Sequence, residues 1–176
     1  MHAVTLTRPL TQTATSQTFA EAAERHLDDV FGYLLYLTRD RALADDLSGA
    51  TFEKALRQWS RFDVRRGSAR TWLLGIAHST ALDWFRADTR RRRREEAAAQ
   101  PEAQDADFIE GLSPALQTAL ATLSAGEREV IVLRIVIELD GEQTARVLGV
   151  SPTAVSTRLS RALTKLEEKV RTDDLR

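Results

Sequence analysis

Between Thr153 and Arg161 the chain places Thr153, Ser156, Thr157, Arg158 and Arg161 on one side of a helical repeat. Hydroxyls and guanidinium groups so arranged are the donors and acceptors that base edges and phosphates require. The opposite side carries Val155, Leu159, Ala162, Leu163 and Leu166, an apolar stripe at spacings of three and four that calls for burial. Ser151 is positioned to cap this helix, and Pro152 fills its first turn, where a missing N–H costs nothing. Upstream, Asp140 and Gln143 form the capping signal of a short helix carrying Ala145 and Leu148, and Gly149 supplies a left-handed end. A short helix, a glycine turn and a helix with a polar leading end make a helix-turn-helix, the geometry that enters a major groove. Ser124 and Glu127 open one more capped helix before it, running through Val130, Ile131, Leu133 and Ile135. A plain helical hairpin with a wet face is the competing reading. The agreement of caps, turn and apolar spacing favours the DNA-reading one.

Catalytic chemistry finds little support. The three histidines, His2, His26 and His78, are scattered without metal-ligand spacing, and no glycine loop is built to cradle phosphate. His78 and Ser79 are helical neighbours and point different ways, as do Asp45 and Asp46. There is no cysteine, which excludes disulfides and thiolate metal sites. The expectation is a protein that is not an enzyme and uses no cofactor or metal. No apolar run reaches membrane-span length and the first residues lack a signal-peptide core, so a cytoplasmic location is expected.

The elements that would hold these residues are helical throughout. Residues 1–18 are rich in threonine and read as a disordered leader. Leu27, Val30, Phe31, Leu34 and Leu35 predict a first helix from about Phe19 to Thr38. Asp40 caps a second, with Leu43, Leu47, Phe52, Leu56 and Trp59 along it. Arg61–Gly67 breaks the pattern as a loop, and Ser68 begins a third helix bearing Trp72, Leu73, Ile76, Ala77, Thr80 and Trp84. The net charge of −1 conceals three zones: +5 over residues 1–94, −6 over 95–124 and zero beyond. Residues 95–107 are acidic, alanine-rich and broken by Pro101, which predicts a flexible linker. Phe108, Leu112, Leu116, Leu120 and Leu123 then restore helical spacing. The predicted fold class is all-α, with two small helical domains, 19–94 and 108–176, on an acidic linker.

Two helical domains on a tether, the second a helix-turn-helix, resemble the extracytoplasmic-function sigma factors of bacterial RNA polymerase. The residues that carry the resemblance are ADDLSGATFEKALRQWSRFD at 44–63, RTWLLGIAHSTALDWFR at 70–86 and the helix-turn-helix segment at 124–168. The resemblance implies a promoter-specificity subunit that binds core RNA polymerase and promoter DNA, with an anti-sigma factor as a further implied partner. Asp46, Leu47, Gly49, Phe52 and Glu53 would then dock on the polymerase's largest subunit. Arg61, Phe62, Arg65, Arg66, His78, Ser79, Asp83, Arg86 and Arg90 would meet the minus-ten element as it melts. Ser151, Thr153, Ala154, Ser156, Thr157, Arg158 and Arg161 would read the minus-thirty-five element as duplex.

Residues 61–94 suit melted DNA on their own terms, since arginines interleaved with Phe62, Trp72, Trp84 and Phe85 can track phosphates and hold unstacked bases. Trp72 and Trp84 lie on the apolar stripe of the third helix and read first as core. Arg90–Arg94 exceeds what a helix end needs to complement its dipole, which favours phosphate contact. The acidic linker reads equally as a solubilising tether or as a polyanion lying in the polymerase's RNA path, where similar linkers of the family run. The chain departs from the family pattern at Gly49 and Ala50, usually glutamine and an acidic residue, at Ser79, usually asparagine, and at Ser156, usually lysine. A stand-alone helix-turn-helix regulator is the alternative function, and a polymerase-binding or anti-sigma-binding decoy that has lost initiation is a third.

Overall fold

The computed structural model describes residues 17–96, 120 and 122–173. Most of the proposed leader and of the acidic linker, with Phe108, Leu112 and Leu116, lies outside these residues. Among the described residues every regular element is a helix. In chain order they are α1 (Phe19–Thr38), α2 (Arg41–Gln58), α3 (Ala69–Glu96), α4 (Ala125–Ile131), α5 (Gly141–Leu148) and α6 (Pro152–Asp173).

Local chemistry sets most boundaries. Thr18, at the end of the expected leader, caps α1 in a reciprocal box with Glu21, and Arg39 ends the helix at φ 56°. Asp40 accepts from the Leu43 N–H at the start of α2. Ser124 with Glu127, and Asp140 with Gln143, form the two capping boxes of α4 and α5. Gly149 closes α5 in the left-handed region, φ 64°, and Ser151 accepts from the Ala154 N–H at the head of α6. Each cap satisfies backbone donors or carbonyls that the helix itself leaves unpaired.

Two features depart from the periodic reading. The helix opened by Ser124 turns α-helical only to Ile131 and then widens into a π turn over Val132–Val136. That turn carries Ile135 and Val136 outward, to 57% and 63% exposure, although the spacing places Ile135 among core residues. Leu56 and Leu163, also counted on buried stripes, are exposed. The segment between α2 and α3 holds two short 3-10 turns, Trp59–Arg61 and Val64–Arg66.

Helices α1, α2 and α3 pack together around Val30, Tyr33, Leu34, Leu47, Leu73 and Leu74. A bidentate bond from Arg70 to Asp29, 2.7 Å at both oxygens, pins the start of α3 to α1. The C-terminal helices do not stand apart. Val130, Val132, Leu133, Leu139, Val147 and Leu148 continue the same apolar cluster, and α5 packs along α3. Leu120, Leu123, Ile131 and Ala162 form a smaller cluster between α4 and α6.

Candidate nucleic-acid interface

The loop after α2 builds a cleft from aromatic and basic groups. Trp59 stacks on Phe62, with centroids 4.8 Å apart, and meets Phe19 and Trp72 edge-on at 5.6 Å. The four rings brace the 3-10 turns against α1 and α3, so Trp72 serves as a half-buried wall. Arg61, Phe62 and Arg66 then line a cleft of about 400 Å³ with Thr71, Trp72 and Gly75. Arg65 is turned away from this task. Its guanidinium grips Asp63 at 3.1 and 3.2 Å, and Asp63 also accepts from the Arg65 N–H, which holds that carboxyl below its usual range. Gly67, at φ 157°, permits the backbone to leave the second 3-10 turn toward α3.

Along α3 the expected contact residues split. Asp83 and Arg86 are exposed and lie 3.6 Å apart. Ser79 is half-buried, donates to the Ile76 carbonyl and accepts from the Lys54 ammonium at 3.2 Å. His78 is covered, at 8% exposure, with its Nδ1 in a 3.0 Å hydrogen bond with the Tyr33 hydroxyl. Glu129 of α4 approaches the same nitrogen at 3.8 Å. Burial pushes the imidazole below its ordinary pKa and the Glu129 carboxyl above its own, so the contact is close but not an ion pair near neutral pH. At the end of α3, Arg91 and Arg92 both bind the nearly buried Asp88, at 2.5 and 2.8 Å. Arg90, Arg93 and Arg94 are exposed, with Arg94 Nε donating to the Arg90 carbonyl.

On α6, Ser151, Thr153, Ser156, Thr157 and Arg161 are all exposed on the outward face, and Ala154 is half-buried. Arg158 behaves differently. Its guanidinium lies over Gly126 at the head of α4, where an added Cβ would sit 3.6 Å from it, and it draws the Glu129 pKa downward against burial. A second tie lies at Glu127: Lys165 of α6 donates to both of its carboxylate oxygens at 2.9 and 2.8 Å. With the Ser124 backbone and hydroxyl as further donors, the Glu127 carboxyl is lowered to about 2. Helix α6 is thereby fixed on α4 by two cations, a tie that capping signals alone do not reveal.

Helix α2 presents a separate surface. Asp46, Gly49 and Glu53 are exposed on one helical stripe, joined by the exposed Leu56, while Leu47 and Phe52 turn into the core. Among the described residues no cluster of side chains is arranged to hold a metal ion, and no helix is long and apolar enough to cross a membrane.

The family model for Sigma-70 region 2 matches residues 22–91, and that for Sigma-70, region 4, matches 113–166. The chain is 34% identical to the ECF RNA polymerase sigma factor SigC of Mycobacterium tuberculosis over 151 residues, 84% of this chain and 80% of that one. The chain belongs to the extracytoplasmic-function sigma factors. A second relative of this sigma factor is the RNA polymerase sigma factor YlaC of Bacillus subtilis, 32% identical over 157 residues, covering 83% and 88% of the two chains. Among solved structures, CnrH in complex with the cytosolic domain of CnrY matches with a TM-score of 0.64 and 28% identity, over 88% of each chain. The sigma factor is thus a promoter-specificity subunit of RNA polymerase. The match of residues 22–91 to region 2 removes the stand-alone regulator, for which an N-terminal domain of this family has no use.

Proposed function

We propose that the two domains of this sigma factor divide the promoter between them, residues 19–94 taking core docking and the melted minus-ten strand, 108–176 the minus-thirty-five duplex. The observation that carries this is the cleft of Arg61, Phe62, Arg66 and Trp72, which offers cations beside an aromatic wall. Extruding a base costs a few kcal/mol, and one stacking contact returns about 1–3 kcal/mol. Phosphate contacts from Arg86, Arg90 and their neighbours, together with polymerase binding, supply the rest. The exposed stripe Asp46–Gly49–Glu53, ending on Leu56, is the proposed docking surface for core polymerase.

In the C-terminal domain the reading face is Thr153, Ser156, Thr157 and Arg161, with Ser151 and Ala154 at the leading end. Arg158, held over α4, is proposed to set the pitch of α6. The sigma factor is taken to act in the cytoplasm, without catalysing a reaction itself, and under the control of a protein partner of the anti-sigma kind. Its structural relative CnrH was solved with another protein's cytosolic domain.

Run-off transcription with purified core polymerase across a promoter library tests this reading. Core-dependent starts downstream of one shared two-element sequence are expected. Duplex binding without core, and no transcript with it, would contradict it.

A further inference from the structure

Ser79, Asp83, Arg86 and Arg90 follow one another along α3 at spacings of four, three and four, and the first three line one cleft. The head of this stripe does not stand alone. From the neighbouring α2, the half-buried Lys54 crosses the seam and donates its ammonium to the Ser79 hydroxyl oxygen at 3.2 Å. Ser79 in turn gives its own proton to the Ile76 carbonyl, at 2.9 Å within α3. A serine hydroxyl has a single donor. With that donor held by Ile76, Ser79 has no O–H left to offer a base. The donor at this place is the Lys54 ammonium, which carries three N–H groups and no acceptor, and whose bond to a neutral oxygen leaves its charge intact. Lys54 turns toward α3 and so stands apart from the exposed Asp46, Gly49 and Glu53 of the same helix. Asparagine, usual in the family where this chain has Ser79, carries an amide that both donates and accepts.

We propose that Lys54 is a specificity-determining residue for the minus-ten element, and that, anchored on Ser79, it selects a keto base at one position of that element. The proposal rests on the promoter reading above. Guanine and thymine present a carbonyl oxygen, O6 or O4, where adenine and cytosine present an amino group. A donor-only ammonium bonds to the first pair and meets the second donor to donor. Half-burial sharpens the choice, because an amino group set against Lys54 loses water and gains no bond.

Run-off transcription with core polymerase, on promoters varied singly through the minus-ten element, tests this with wild type, Lys54→Met and Ser79→Asn. Wild type is expected to favour guanine or thymine over adenine or cytosine by about tenfold at one position. Lys54→Met, similar in length and without a donor, is expected to lose that preference while preferences elsewhere in the element hold. Ser79→Asn, which brings an acceptor and donors of its own, is expected to admit adenine and cytosine there. If the melting curve shows that Lys54→Met does not fold, Lys54→Gln carries the same test, because its amide both donates and accepts.

A loss in Lys54→Met that is equal on every promoter overturns the proposal. With a salt slope of promoter binding flattened by about 0.7, it makes Lys54 a phosphate contact, and with an unchanged slope it makes Lys54 a brace between α2 and α3. A keto preference that survives the substitution, or none in wild type, overturns it as well. Core-dependent transcription by wild type alongside any of these results removes the role of Lys54 only, whereas no transcript from any promoter removes the promoter reading beneath it.

Discussion

Glu127 joins three separate structural tasks: it completes the capping box of α4, receives Lys165 of α6 and sits almost entirely out of solvent. Its pKa is lowered from an ordinary 4.5 to about 2, chiefly by the Lys165 hydrogen bonds. A depressed carboxyl contributes stability that is complete above its unfolded pKa and is lost as pH falls through the folded one. Glu127→Gln should therefore lower the melting temperature at pH 7, and the deficit should shrink between about pH 4.5 and pH 2. Thermal unfolding of both proteins across that range checks this, and a deficit of the same size at pH 7 and pH 2 would refute the charge as its origin. The capping half of this role was legible, because Ser124 and Glu127 are three apart. The lysine partner was not, since a contact across 38 residues leaves no mark in local spacing. Arg158 and Arg70 carry the same lesson. Each belongs by type to a set of DNA-contacting arginines, yet one lies over Gly126 and the other binds Asp29.

Helix α2 keeps its register despite a poor interior. Ser48 and Thr51 are buried and return their hydroxyls to the Ala44 and Leu47 carbonyls at 2.7 Å, and Gly49 interrupts the exposed face. A Cβ at Gly49 would meet nothing within 4 Å. Gly49→Ala should accordingly stabilise the helix by about 1 kcal/mol, a rise of about 2–4 °C in melting temperature by differential scanning calorimetry. Restoring glutamine and glutamate at 49 and 50 should in addition strengthen binding to core polymerase in a pull-down titration. A stability gain with no gain in core affinity would mean that this stripe does not dock.

The end of α3 offers a second test at the same scale. Five arginines in sequence suggest five phosphate contacts, but Arg91 and Arg92 are engaged with Asp88. Replacing Arg90–Arg94 with glutamine should flatten the salt dependence of promoter binding by about two to three in log–log slope, not the four to five of a fully committed run. An unaltered slope would make the run a solvated helix end. Helix extents were largely readable because caps and apolar spacing coincide. The π turn after α4 was not, because a stripe of Val130, Ile131 and Leu133 predicts continued α geometry, and the extra residue per turn shows only in where Ile135 emerges.

For the whole molecule, the two-domain plan follows from the charge zones and the break at Pro101, and both family matches fall within the two halves. The packing of one half on the other could not be read in this way. Periodicity shows that Leu73, Ala77, Val147 and Leu148 must be buried, but it does not say against which element, and their partners lie on opposite sides of the linker. The candidate site was legible in its residue types and only partly in their roles. The loop arginines divide into Arg61 and Arg66 on the cleft and Arg65 on Asp63, a division fixed by a 3-10 turn that no spacing rule announces.

The central claim is that this cleft receives the melted strand when core polymerase is present. Fluorescence of 2-aminopurine placed in the minus-ten element of a cognate promoter measures it directly, with core polymerase and either wild type or the double variant Arg61→Ala, Arg66→Ala. Both arginines are exposed, so the variant should fold. A signal that requires both core and sigma factor is expected, with a loss of about tenfold or more in the variant while free-chain affinity for the minus-thirty-five duplex holds. Undiminished unstacking in the variant would contradict it.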